Sequence, residues 1–420
     1  MKQLVVYMRE KRVGVLEQDD NGLLRFRYAP EFLGREDAIP ISRMLPLTSD
    51  AFEGKRARPF FAGLLPEDEP RQKIAAILGI SERNDFAMLE HIGGECAGAI
   101  SLLPEGASPL PVENRLRWLS EEDLQAIVAE LPRRPLLAGE DGLRLSLAGA
   151  QDKLPIVMDG DTISLPLGNT PSSHIIKPQP ARFPGLVANE ILCMQLAKAV
   201  GLNVAAVASR SIGGGACIIV ERYDRIRNAD GSISRLHQED FCQALGFPPE
   251  RKYQQEGGPL LRDCVALLRE WSTTPVLDIR DFVDGLIFNV LIGNADAHGK
   301  NYSLLYDGSR RRLAPFYDLV CTAVWPELSK RLAMNVGKSK NINEVTPDHF
   351  RKMAGEADLG WPMVRERMAS MCENVHGAIE DHDLERTSVD PLMAGQVASL
   401  VAQRSKRMLS YLAKQRQGTR

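Results

Sequence analysis

Asp296, Asn301 and Asp318 are the side chains whose type and spacing best suit chemistry. Four residues separate Asp296 from Asn301 within Gly293-Asn294-Ala295-Asp296-Ala297-His298-Gly299-Lys300-Asn301, and Asp318 closes Phe316-Tyr317-Asp318. The spacing is that of a phosphoryl-transfer loop. One carboxylate orients a hydroxyl and accepts its proton, a carboxamide offers oxygen to magnesium, and a further carboxylate completes the cation's ligands. A strand-turn-strand over Tyr302–Tyr306, Asp307-Gly308 and Leu313–Phe316 would return Asp318 to Asn301. The same residues also suit an Asx-rich turn that caps a helix by local hydrogen bonds.

The element that must position this loop is the apolar stretch before it. Phe282, Val283, Leu286, Ile287, Val290 and Leu291 recur at helical spacing, and Phe288 and Ile292 fill the other face, so the helix is buried and stops at Gly293. Upstream, Leu143 to Val157 reads as a hairpin whose small-residue turn, Ala148 to Lys153, could lay backbone N–H groups over phosphates. His174-Ile175-Ile176-Lys177-Pro178 is a strand ending in a lysine, suited to phosphate charge or simply exposed at the strand end. Glu190 follows in a helix from Leu186 to Val200, either as the lysine's ion-pair partner or as a surface glutamate. Cys217 to Asp224 is a buried strand turning polar, an ordinary strand end or a hinge whose backbone at Glu221, Arg222 and Tyr223 meets an adenine edge. His91-Ile92-Gly93-Gly94 reads as a turn.

Bulk properties narrow the class. The 420 residues suffice for two or three domains, and 44% hydrophobic with 25% charged residues is ordinary for a globular protein. A net charge of −3 argues against a generally basic nucleic-acid binder. Seven cysteines without a CxxC argue against a disulfide framework or a zinc site. Neither a signal peptide nor an apolar run of about 18 residues is present, so a cytoplasmic protein without a membrane partner is expected.

Three segments are expected: 1–105, β-rich, with a hairpin turn at Asp20-Asn21-Gly22; 106–225, mostly strand; and 226–420, helical. Pro104, Pro109 and Pro111 mark the first join. The last helix carries Arg404, Lys406, Arg407, Lys414, Arg416 and Arg420 with no acid among them, a solvated face or a contact to a phosphate backbone.

Ser146-Leu147-Ala148-Gly149-Ala150-Gln151-Asp152-Lys153, Ile175-Ile176-Lys177, Val220-Glu221-Arg222-Tyr223-Asp224, Asn294 to Asn301 and Tyr317-Asp318 together resemble the HipA toxin kinases of bacterial type II toxin–antitoxin systems. Phe60 to Glu67 matches the family's N-terminal subdomain more loosely. The resemblance implies an α+β, two-lobed protein-kinase-like fold, with a β-rich N-terminal lobe, an extra N-terminal subdomain and an all-α C-terminal lobe. It implies a serine/threonine protein kinase using ATP and Mg2+, with Asp296 as base and Asn301 and Asp318 as metal ligands. Ala148, Gly149, Ala150, Gln151, Asp152, Lys153, Lys177, Glu221, Arg222, Tyr223, His298, Gly299, Lys300, Asn301, Tyr317 and Asp318 would contact ATP. His298 stands where ordinary protein kinases carry a lysine, and Ser146 matches the family's autophosphorylation site. The implied partners are a small helix-turn-helix antitoxin, operator DNA through it, and a protein substrate such as an aminoacyl-tRNA synthetase. There is no GxGxxG, and Leu319-Val320 follows Asp318 where ordinary protein kinases have Phe-Gly. A small-molecule phosphotransferase and a non-catalytic co-repressor are the alternatives.

Overall fold

The computed structural model describes residues 2–107, 109, 116–381 and 389–417, with Asp381 and 415–417 as backbone alone. Pro111 and the Arg416 and Arg420 side chains, named above, lie outside the described residues. Contacts divide the chain into two compact units of interleaved segments: Met1–Pro180, Arg210–Pro249 and Leu304–Arg310 form one; Ala181–Ser209, Glu250–Ser303 and Arg311–Arg420 form the other. The segment 1–105 therefore lies in the first unit, whereas 106–225 is split, with Ala181–Ser209 in the second, and 226–420 gives its first residues and Leu304–Arg310 to the first.

The first unit is built on antiparallel strands. Phe52–Glu53, Leu24–Tyr28, Lys11–Gln18, Lys2–Met8 and Ile100–Leu103 pair in that order, with the expected turn at Asp20-Asn21-Gly22 joining two of them. Alternation sends Phe26 and Tyr28 to one face, where Phe52, Phe60 and Phe61 join them, all at most 1% exposed. Each such ring contributes about 1.5–3 kcal/mol by leaving water. In a second sheet Gly215–Glu221, His174–Pro178, Leu154–Asp159, Thr162–Pro166 and Leu116–Trp118 pair in sequence. Lys177 lies opposite Ile218, and His174 opposite Glu221.

One expectation here is overturned. Leu143 to Val157 is not a hairpin: Leu154–Asp159 pairs with the strands on either side, while Leu145 and Gly149 bridge to Glu95 and Pro66. The Ser146 N–H donates to the Glu95 carbonyl and the Glu67 N–H to the Gly149 carbonyl. The apolar arm finds its partners some fifty residues or more upstream.

The second unit is a bundle around helix Pro275–Ile292, packed against helices Leu261–Trp271, Trp361–Asp381 and Pro391–Gln417. Phe282, Val283, Ile287, Phe288, Leu291 and Ile292 are at most 1% exposed, as their spacing on both faces predicted. Asp284, buried on this helix, accepts from Arg367 Nε of a neighbouring helix at 2.7 Å. Burial raises the Asp284 carboxyl above its ordinary value, and Arg367 opposes that. The helical reading of 226–420 needs strands added, among them His237–Asp240, which pairs with Ser303–Asp307. Hairpins Arg225–Arg227 with Ile233–Arg235, and Arg331–Val336 with Ser339–Asn341, were missed. The second turns at Gly337, at φ 54°, where a Cβ would lie 2.4 Å from the His349 carbonyl oxygen.

Candidate active site

The catalytic loop grows directly from the end of the buried helix. Gly293 takes φ 73° and closes the last turn onto Asn289 and Val290; a Cβ there would meet Ala323 Cβ at 2.7 Å. Asn294 turns inward, its N–H on the Asn289 carbonyl at 2.9 Å and its Nδ2 on Asn289 Oδ1 at 2.8 Å. Asn294 Oδ1 then accepts the Asp296 N–H at 3.0 Å. Thr322 Oγ1 accepts from the Ala295 N–H at 2.9 Å and donates to the Gly293 carbonyl, while the Ala333 N–H holds the Ala295 carbonyl. The loop is thus fixed from three sides.

Asp296 is exposed, and Tyr253 donates its hydroxyl to Oδ1 at 2.8 Å. The Tyr253 ring meets the His298 ring edge-on at 5.3 Å. Beyond Asp296, the His298 N–H donates to the Asp296 carbonyl and to Asn301 Oδ1, making one tight turn of Gly299–Asn301. Lys300 is buried, and its carbonyl accepts from the Tyr317 hydroxyl at 2.6 Å, which also meets Ser303 Oγ. The expected return of Asp318 occurs: Asn301 Nδ2 donates to Asp318 Oδ2 at 2.9 Å. Asp318 sits at φ 58°, a left-handed backbone that costs a non-glycine residue about 1–3 kcal/mol and aims its carboxylate at Asn301. Asp296, His298, Gly299, Lys300, Asn301, Tyr317 and Asp318 therefore form one cluster. Its oxygen donors suit a hard cation such as magnesium. No group of three or more His, Cys, Asp or Glu able to hold a metal occurs among the described residues, so a cation here would take its remaining oxygens from substrate and water.

The other expected site residues belong to the first unit, whereas Glu190 belongs to the second. Ser146 is wholly buried, its hydroxyl donating to the Leu64 carbonyl at 2.8 Å. Gly149, at φ 108°, leads into a turn closed by Lys153 Nζ on the Ala148 carbonyl. Gln151 Nε2 is buried with no hydrogen-bond partner, a donor that a phosphate or base would satisfy. Burial raises the neighbouring Asp152 carboxyl above its ordinary value, against Lys73. Lys177 is buried on its strand, which removes the exposed strand-end reading, and Glu190 is buried too, which removes the surface reading. Glu221 is exposed; the Arg222 N–H is already given to the Ser173 carbonyl, and Tyr223 donates its hydroxyl to Gln238.

The chain is matched over residues 4–103 by the HipA N-terminal domain and over 145–382 by the HipA-like C-terminal domain. It belongs to the HipA family. Among HipA relatives, Y4mE of Sinorhizobium fredii is 45% identical over 97% of this chain and 98% of its own length. The serine/threonine-protein kinase toxin HipA of Shewanella oneidensis is 32% identical over 90% of this chain and 89% of its own. The solved complex of Shewanella oneidensis HipA with HipB and its operator DNA contains a chain that superposes with a TM-score of 0.84, at 27% identity and 98% coverage of both. The HipA-like α+β fold expected from the motifs is thereby established, and no described helix is long and apolar enough to cross a membrane.

Sequence reasoning missed Tyr253, Asn289 and Thr322, named Asn294 in the loop without its inward role, and misread Arg404. Asn289 alone carried a usable signal, a carboxamide inside an otherwise apolar helix. Arg404 is not part of a solvated basic face, nor available to a phosphate backbone. It is 7% exposed, with Nε on the Val290 carbonyl at 2.9 Å, Nη1 on Asn343 Oδ1 at 2.8 Å and Nη2 on the Ile342 carbonyl at 2.6 Å. Burial lowers its pKa to about 10, so it remains charged at neutral pH and caps the helix that carries the loop. Lys406 and Lys414 are exposed as expected. Arg404→Met should cost about 2–4 kcal/mol in urea unfolding by stranding buried carbonyls; a loss under about 0.5 kcal/mol would return Arg404 to the surface class.

Proposed function

We propose that this HipA-family chain is an ATP- and Mg2+-dependent serine/threonine protein kinase, acting as the toxin of a toxin–antitoxin pair. The observation that carries the reading is the Asn301–Asp318 hydrogen bond, which gathers two metal-suited side chains beside the loop that presents Asp296. With Tyr253 holding Oδ1, Asp296 uses Oδ2 to take the proton of the attacking serine or threonine hydroxyl. The serine or threonine oxygen forms its bond to the γ-phosphorus as the bond to the β–γ bridging oxygen breaks, and ADP leaves. Asn301 and Asp318 would hold magnesium, which supplies charge neutralisation at the phosphates. The family resemblance assigns phosphate charge neutralisation to Lys177, buried on its strand, and nucleotide cover to the turn from Ala148 to Lys153.

The relative from Shewanella oneidensis assembles with HipB and operator DNA, which supports a small DNA-binding antitoxin of helix-turn-helix type as this chain's partner. The family resemblance points to an aminoacyl-tRNA synthetase as protein substrate and to Ser146 as a site of inhibitory autophosphorylation. Incubation with γ-labelled ATP, magnesium and a cell lysate should place label on serine or threonine of protein, and chelation of magnesium should abolish it. Label confined to small metabolites would instead make the chain a small-molecule phosphotransferase. Unchanged toxicity of an inactive loop variant would favour a non-catalytic co-repressor.

A further inference from the structure

Glu95 follows the glycine pair that reads in the sequence as a plain turn, and it is completely buried beneath arginines. Arg222 Nη1 reaches Oε1 at 3.1 Å and Arg225 Nη2 at 2.7 Å, while Arg235 Nε reaches Oε2 at 3.0 Å. Ser172 adds its N–H and hydroxyl to Oε1 at 3.0 and 2.9 Å. Asp224 is the second buried acid, paired with Arg222 and Arg225, so three cations face two anions. Burial alone would push the Glu95 carboxyl up; the charges of Arg225, Arg235 and Arg222 outweigh it and hold the group well below the usual carboxylate range.

The backbone of the same residue does something different. The Glu95 N–H donates to the Arg144 carbonyl at 2.8 Å, and its carbonyl accepts the Ser146 N–H at 2.9 Å. One residue therefore grips the strand entering the Ala148–Lys153 turn with its main chain, and the Glu221–Tyr223 segment, through Arg222, with its side chain. The neighbouring Cys96 carbonyl accepts from both Arg222 and Arg225 at 3.0 Å, reinforcing the join. A buried ion cluster of this kind gains little over well-packed apolar side chains, and its distinctive contribution is a fixed conformation.

We propose that Glu95 is a positioning residue for the nucleotide, setting the loop that covers the phosphates and the hinge that meets the base in a single register. The inference rests on the kinase reading for the roles of loop and hinge, and its test has one arm that needs no nucleotide. Glu95→Gln combined with Arg235→Met removes one charge of each sign and so leaves the net charge of the cluster unchanged. Hydrogen exchange on the nucleotide-free protein should show the amides of Ser146 and Arg222 losing protection together, by about tenfold or more, while those of the Lys2–Met8 and Lys11–Gln18 strands hold. The KM for ATP should rise about tenfold with kcat within about twofold, since a tenfold change corresponds to about 1.4 kcal/mol of lost preorganisation. Ser172→Ala, which changes no charge, should move both readouts in the same direction by less. Unchanged protection at Ser146 and Arg222 in either folded variant would overturn the proposal, as would a uniform loss across the whole first unit. Wild-type protein that binds no ATP would remove the kinase reading and leave the exchange arm to decide whether Glu95 joins the two segments.

Discussion

Asp296→Asn is expected to lower phosphoryl transfer by about 10²–10⁴-fold, the range lost when a positioned base is removed. The side chain is exposed, so the substitution should change stability by no more than about 0.5 kcal/mol. An asparagine oxygen can still accept the Tyr253 hydroxyl, so the loop keeps its shape and the loss falls on proton acceptance. The KM for ATP should stay near the wild-type value, because Asp296 carries none of the phosphate charge. Steady-state kinetics beside a thermal melt separate these effects, and toxicity on expression should disappear with the activity. A variant that keeps its rate within about threefold would show that the hydroxyl proton goes elsewhere, or that the chain is no kinase. Tyr253→Phe provides the control: it removes the hydrogen bond to Oδ1 and keeps the carboxylate, so its loss should be clearly smaller.

What the sequence disclosed about this site is local, and what it withheld is long-range. The gathering of Asn301 and Asp318 beside Asp296 could be read because it follows from residue type, close spacing and a short connection that brings Asp318 back to Asn301. The buried helix before them was readable for the same reason, since apolar residues on both faces leave it nowhere but the core. Tyr253 and Thr322 reach the loop from separate elements, and a tyrosine or threonine in a linear string says nothing of where its hydroxyl points. Arg404 was misread because charge type predicts exposure on average, whereas the Val290 carbonyl at the end of another helix, with the Ile342 carbonyl and Asn343 Oδ1, makes burial acceptable here. The Leu143–Val157 arm failed differently. Alternating apolar residues announce a strand-like stretch but not its partner, and a nearby small-residue turn made the local partner attractive when the real ones lay at Pro66 and Glu95.

Ser146→Asp, or phosphate on Ser146 itself, should release the loop and reduce ATP affinity by more than about tenfold while the rest of the chain stays folded. The argument is a comparison of magnitudes. Ser146 is 0% exposed, and its hydroxyl is a donor to the Leu64 carbonyl, a partner that an anion would repel. The segment is held by that bond, by the Ser146 N–H on Glu95, by the Glu95 N–H on Arg144 and by the Glu67 N–H on Gly149. At about 0.5–1.5 kcal/mol each, these bonds sum to only a few kcal/mol. Confining a phosphate of about −1.5 to −2 charge in the same buried space, against the Leu64 carbonyl, costs more than that. Leaving is therefore the cheaper course, and it displaces the Ala148–Lys153 turn, which on the kinase reading covers the phosphates. Isothermal titration with a non-hydrolysable ATP analogue, together with limited proteolysis across 144–153, reads both halves of the expectation. Ser146→Ala should bind nearly as wild type, because it loses one hydrogen bond and adds no charge. An aspartate variant that binds the analogue normally and resists cleavage would mean that the pocket around Ser146 accommodates an anion, and regulation through this serine would have to be abandoned.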